Sequence, residues 1–148
     1  MKNFTQILLI SVLATLAGCA TGPAFSSYSK TVPPPKSGES RIWFYRPSKI
    51  IGAAIQPQVN INNMSVGKAQ PGCFFYSDKP EGEYEIKCTT EWSDKLQLTV
   101  KQNSVYYVKL TILPGLLVGH IKPSLVPEDK AMKDIKGCNR ITADGRGK

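Results

Sequence analysis

A chain of 148 residues with 41% hydrophobic side chains has room for one compact domain and short appendages, and excludes two independent cores. A formal charge of +8 favours anionic partners, yet the basic residues form no block of the kind that marks a nucleic-acid tail. Four cysteines without close spacing and a single histidine argue against a zinc site, and no cofactor motif is present.

The chain opens on a short positive start, Met1-Lys2, followed by an apolar run from Phe4 to Ala17. A membrane span needs roughly 20 apolar residues, so this run reads as the h-region of a signal peptide covering residues 1–18. It ends in Leu16-Ala17-Gly18-Cys19, which resembles the lipobox cut by the lipoprotein signal peptidase, where the cysteine sulfur takes a diacylglyceryl group. The alternative is ordinary cleavage after Ala20, which discards Cys19. Two long acyl chains at ~0.8 kcal/mol per CH₂ contribute on the order of 20 kcal/mol of membrane attachment, so lipidation at Cys19 predicts permanent anchoring. Ala20 stands where the lipoprotein pattern uses aspartate for inner-membrane retention, which implies the periplasmic face of the outer membrane. Removing residues 1–18 takes away Lys2 and no acid, so the balance falls only from +8 to +7. Behind a secretion signal the anions within reach are lipid head groups, lipopolysaccharide phosphates and wall polymers, so nucleic acid is not an expected partner.

Residues 19–38 are small, polar and proline-rich, with Gly22-Pro23, Ser26-Ser27-Tyr28-Ser29 and Pro33-Pro34-Pro35, and read as a tether. About 20 residues at up to ~3.3 Å each allow a reach of ~65 Å. The folded part is expected over residues 39–138 and its signals are those of strands. Ile42-Trp43-Phe44-Tyr45 is apolar on both faces and predicts a central strand. Gln58-Val59-Asn60-Ile61 and Met64-Ser65-Val66-Gly67 flank Asn62-Asn63, two residues that tolerate positive φ, and predict a hairpin. Cys73–Tyr76 and Glu83–Cys88 flank Pro80-Glu81-Gly82 and predict a second hairpin. Leu96, Leu98 and Val100 alternate with polar residues, and Tyr106, Val108, Leu110 and Ile112 do the same beyond Gln102-Asn103-Ser104, predicting a third. Pro127 to Lys136, with Glu128 and Asp129 in its first turn and Gly137 as stop, predicts the one helix. The whole predicts an all-β fold: a small antiparallel β-sandwich with one short C-terminal helix, then a flexible tail over residues 139–148.

The order of Ile42-Trp43-Phe44-Tyr45-Arg46-Pro47, Ile61-Asn62-Asn63, Gly72-Cys73-Phe74-Phe75, Pro80-Glu81-Gly82-Glu83-Tyr84, Tyr106-Tyr107-Val108 and Gly119-His120 resembles an uncharacterised family of bacterial outer-membrane lipoproteins with a PEGA-like β-sandwich. The resemblance covers roughly residues 40 to 138 and implies a fold and a location, with no activity attached. Cysteine at positions 73 and 88 departs from the family pattern.

With Cys19 carrying lipid, Cys73, Cys88 and Cys138 remain in an oxidising compartment. If Lys79 to Glu81 is a hairpin tip, Cys73 and Cys88 lie almost opposite and are the expected disulfide; the alternative joins Cys88 to Cys138. The apolar stretch holding Leu116, Leu117, Val118 and His120 has two readings, a partner-binding or membrane-touching loop and a buried filler of the core or a further strand. Catalysis through His120 needs an acid such as Asp94, Asp129 or Asp134, but nucleophile elbow, phosphate loop and paired-carboxylate motif are all missing. Trp43, Tyr45 and Tyr107 with Arg41 and Arg46 form a carbohydrate-stacking platform if they face outward, and fill a core if they face inward. The sequence thus predicts a non-enzymatic, lipid-anchored interaction module whose partner is an envelope protein or the wall. The alternative is a ligand-binding module for glycan or anionic envelope molecules such as peptidoglycan or lipopolysaccharide.

Overall fold

The computed structural model describes residues 22–90, 92–117 and 119–142, so the signal segment, Cys19, Val118 and residues 143–148 lie outside the described residues. Among the described residues nine strands form two sheets: β1 (Glu39–Arg46), β2 (Gln58–Ile61), β3 (Met64–Lys68), β4 (Cys73–Pro80), β5 (Gly82–Thr89), β6 (Ser93–Val100), β7 (Val105–Pro114), β8 (Gly119–Leu125) and β9 (Asn139–Arg140). Among the described residues two helices accompany them, a single turn α1 (Phe25–Tyr28) and α2 (Glu128–Ile135). The five-stranded sheet runs β8-β7-β1-β4-β9 and the four-stranded sheet β3-β2-β5-β6. The result is an all-β sandwich with a short C-terminal helix. Most pairs are antiparallel, but β1–β7 and β4–β9 run parallel.

Strand β1 is central because both of its faces and both of its edges are used. It pairs with β4 on one side and β7 on the other. Ile42 and Phe44 point between the sheets, where they join Val59, Ile86, Val108 and Ile121 in the main core. Trp43 and Tyr45 point the other way into a second cluster with Phe25, Phe74, Tyr107, Ala131, Ile135 and Cys138. Strand period two separates the two sets, and each finds its own apolar cover. Asn62 and Asn63 adopt φ of 47° and 65°, the left-handed pair that closes the β2–β3 hairpin as the sequence predicts.

Four expectations are corrected. Strands β4 and β5 do not pair: β4 joins β1, β5 joins β2 and β6, and Pro80-Glu81-Gly82 carries the chain from one sheet to the other. Strands β6 and β7 likewise lie in opposite sheets, so Gln102-Asn103-Ser104 is a crossover rather than a hairpin turn. Ser40, buried at the start of β1, anchors that crossover by accepting from the Ser104 N–H at 2.8 Å and donating to the Lys101 carbonyl.

Much of the segment read as tether is part of the body. Phe25 is 5% exposed and meets Trp43 and Phe74 edge-on, with ring centroids 5.1 and 5.2 Å away, and Tyr28 and Val32 pack beside it. Residues 139–142, read as the start of the tail, are also built in. Asn139–Arg140 is a strand on β4, and Ile141 is buried in the main core. The two segments hold one another: the Phe25 N–H donates to the Cys138 carbonyl at 3.1 Å and the Arg140 N–H to the Pro23 carbonyl at 2.8 Å.

Candidate functional site

The parallel pairing of β1 and β7 sends both strands to the same end of the sandwich, and there the apolar surface collects. The connection from β1 to β2, residues 47–57, is rich in small residues and has no regular structure of its own to satisfy its carbonyls. Arg46, the last residue of β1 and 1% exposed, performs that task from inside. Its guanidinium donates to the Gly52 carbonyl at 2.8 Å, to the Ala69 carbonyl at 2.6 Å, and to that of Ile55. Burial pushes the Arg46 pKa down from the ordinary arginine value, and the converging carbonyl dipoles offset the burial of its charge. Arg46 therefore clamps the loop from inside, which removes it from the outward-facing alternative of a stacking platform.

The clamped loop lies against the β7–β8 hairpin. Gly52 has φ of +76°, and a Cβ there would fall 2.5 Å from Ile112 Cγ1. On the opposing side, a Cβ on Gly119 would fall 2.9 Å from Ile55 Cδ1. The glycines let the two segments interlock and leave a groove of about 480 Å³ lined by Lys49, Ile51, Ile55, Leu113 and Pro114. Around its mouth Ile50 is 95% exposed, Ile51 83%, Leu116 81% and Leu117 89%. Of the two readings of the Leu116-Leu117 stretch, the structure supports display, and adds an equally exposed neighbour that the sequence did not single out.

His120 belongs to a different environment. It sits at the start of β8, buried, with Nε2 3.1 Å from Asp94 Oδ2 on β6 and its ring 4.9 Å from the half-exposed Trp92 ring. Its Nδ1 is buried without a hydrogen-bond partner among the described residues. Of Asp94, Asp129 and Asp134, only Asp94 pairs with His120 among the described residues; Asp134 instead binds Lys109 from α2. His120 thus ties the β8 edge to the four-stranded sheet, and is separated from the exposed tip with which the sequence grouped it.

Cys73, Cys88 and Cys138 are free and buried, so the expected Cys73–Cys88 bond and its Cys88–Cys138 alternative are both corrected. The physical reason is the sheet change at Pro80-Glu81-Gly82. Cys73 lies opposite Arg46 of β1, and Cys88 opposite Asp94 of β6. Burial pushes all three thiols up to about 12, which leaves them protonated and poor nucleophiles at neutral pH. No three His, Cys, Asp or Glu side chains are placed to hold a metal ion among the described residues.

The aromatic residues of the stacking-platform alternative are inside. Trp43, Tyr45 and Tyr107 are buried beneath α1 and α2, and Arg41 is buried over the Tyr76 ring at 4.1 Å. Arg41 is held there by Asp78, to which it donates twice, at 2.8 and 2.7 Å. An open aromatic face for sugar stacking is therefore missing from this set.

A family model matches residues 36–120, more than half of the chain and all of the β1–β2 connection. The chain belongs to the protein family of unknown function DUF2846. The DUF2846 match stops at His120, before most of β8, α2 and β9. A longer similarity, 28% identity over 141 residues, links the chain to an uncharacterised protein of Haemophilus influenzae, covering 92% of this chain and 83% of that one. No solved structure matches.

Proposed function

We propose that this DUF2846 protein is a lipoprotein of the periplasmic face of the bacterial outer membrane, anchored through acyl chains on Cys19. On this reading it acts without catalysis, as an interaction module of the envelope. The observation that carries the reading is Leu16-Ala17-Gly18-Cys19 placed directly after an apolar run too short to span a bilayer. Two features support the non-catalytic part: the thiols are buried and protonated, and the one histidine is buried with its Nε2 3.1 Å from Asp94 Oδ2, a contact that staples an edge strand. The exposed isoleucine and leucine pairs supply a surface for contact, since soluble domains rarely leave such a cluster uncovered. The PEGA-like reading of the sandwich rests on the order of its sequence motifs, from which the Pro80-Glu81-Gly82 turn departs mildly.

Metabolic labelling with a palmitate analogue and fractionation of cells test the reading. The parent chain should carry label and sediment with the outer membrane, whereas Cys19→Ser should carry none and leave that fraction. An unlabelled parent chain in the soluble periplasm would refute it.

A further inference from the structure

Resting on the lipid-anchor reading, we infer that the exposed end of the sandwich, carrying Ile50, Ile51, Leu116 and Leu117, seats on the phospholipid leaflet that holds the chain's own lipid. The protein is then bound to the membrane at two places, and its orientation is fixed.

Ala24 is bridged to Asn139, Asn139 lies opposite Cys73, and Cys73 lies opposite Arg46. The first described residues are therefore pinned at the level of the C-terminal end of β1, on the opposite edge of the same sheet from β8. That end is the one toward which β7 runs, because β7 is parallel to β1. Tyr45 lies opposite Lys109, so β7 continues for several residues beyond the end of β1 before Pro114. At ~3.3 Å per residue, Leu110 to Pro114 projects the β7–β8 tip roughly 13 Å past the level of Ala24.

The length of chain outside the structure matches that projection. Four residues lie between Cys19 and Ala24, and the five steps joining them, at up to ~3.5 Å each, reach at most ~17 Å. Acyl chains on Cys19 can therefore lie in a membrane that the Leu116 tip touches. The reverse orientation does not fit. With the opposite end of the sheet facing the bilayer, the leader would have to run back past β1, whose eight residues span roughly 25 Å.

The surface itself suits a phospholipid interface. Loop 47–57 and residues 114–119 contain Lys49 and no acidic residue, on a chain of net charge +8. Trp92 joins them at the same end through its contact with His120, half-exposed and of the residue type that favours the membrane–water boundary. The aliphatic tips would enter only the headgroup and upper acyl region, as interfacial apolar faces do. Arg46, by clamping the loop to the body, keeps the tips rigid, so little ordering is lost on contact.

The test uses full-length protein purified from bacterial membranes, with the Cys19 acyl content read by intact mass. It is reconstituted into phosphatidylethanolamine/phosphatidylglycerol vesicles whose acyl chains carry bromine, a contact quencher of tryptophan. Leu116→Trp should raise the quenched fraction of fluorescence above the parent, and Glu81→Trp, at the far end, should lower it. For tips seated ~5–10 Å into the interface, the added Leu116→Trp signal should be quenched at least about twofold more than the added Glu81→Trp signal. Ile50→Trp, on the second tip, repeats the measurement should Leu116→Trp disturb the hairpin. Equal quenching at both ends with acylated Cys19 overturns the orientation alone. A Cys19 without acyl chains overturns the lipid-anchor reading and this inference with it.

Discussion

Removing the Phe25 ring tests whether the segment before β1 belongs to the folded unit. Phe25 is 5% exposed, and its edge-on contacts with Trp43 and Phe74 close the outer cluster on the five-stranded sheet. Phenylalanine-to-alanine changes in cores remove about 3–5 kcal/mol, and the lower figure applies here, because the ring lies at the rim of a one-sided layer that can relax. Phe25→Ala should therefore lower stability by about 3 kcal/mol. At roughly 4 °C per kcal/mol for a domain of this size, the midpoint should fall by about 12 °C. Thermal and urea melts by circular dichroism read the global effect, and trypsin reads the local one. With the ring gone, the bond after Lys30 should be cut well before the rest of the domain. A midpoint within about 2 °C of the parent, with Lys30 no more susceptible, would refute the reasoning and return residues 22–38 to the status of a free spacer.

Other perturbations follow from the same contacts. Arg46→Met leaves one buried and two part-buried carbonyls of or beside the loop without their donor and should destabilise by about 3 kcal/mol, measured by urea unfolding. Arg46→Lys should recover little of it, because an ammonium cannot reproduce the planar fork. Gly52→Ala forces a side chain at φ of +76° and against Ile112, and should cost about 1–3 kcal/mol in the same assay. The thiols supply a pH dependence. Each has a folded value of about 12 against an ordinary value near 9, so the unfolded chain releases protons first as pH rises. Stability should be unaffected by these groups below pH ~9 and fall from there toward pH ~12, seen as an earlier urea midpoint. A thiol reagent at pH 8 should label none of the three in the native fold and all three in urea.

The strands were legible because hydrophobic period reports a face. Tyr84, Ile86 and Cys88, and then Tyr106, Val108, Leu110 and Ile112, do share the inner face. What period does not report is the partner. Pro80-Glu81-Gly82 and Gln102-Asn103-Ser104 have the composition of hairpin turns, but each joins strands that face one another across the core, and the disulfide expectation failed with the pairing. Strand β8 was hidden by Lys122 and Pro123, tolerable because it lies on the sheet edge. Phe25 was lost among serines, since what buries it is the pair Trp43 and Phe74, far enough along the chain that no local pattern reports them, together with the distant Cys138 segment. The site was half legible. The Leu116-Leu117 stretch drew attention, whereas Ile50-Ile51, marked by Pro47 and Gly52 on either side, did so only once the parallel β1–β7 pairing brought the loops together.

The account of location and orientation depends most on the chemistry of one sulfur. Peptide mass spectrometry of the protein from the membrane fraction of its native host should find the mature chain beginning at Cys19, with that residue heavier by a diacylglyceryl group and an amide-linked acyl chain. A mature chain beginning later, or an unmodified Cys19 in protein recovered from the soluble fraction, would contradict it.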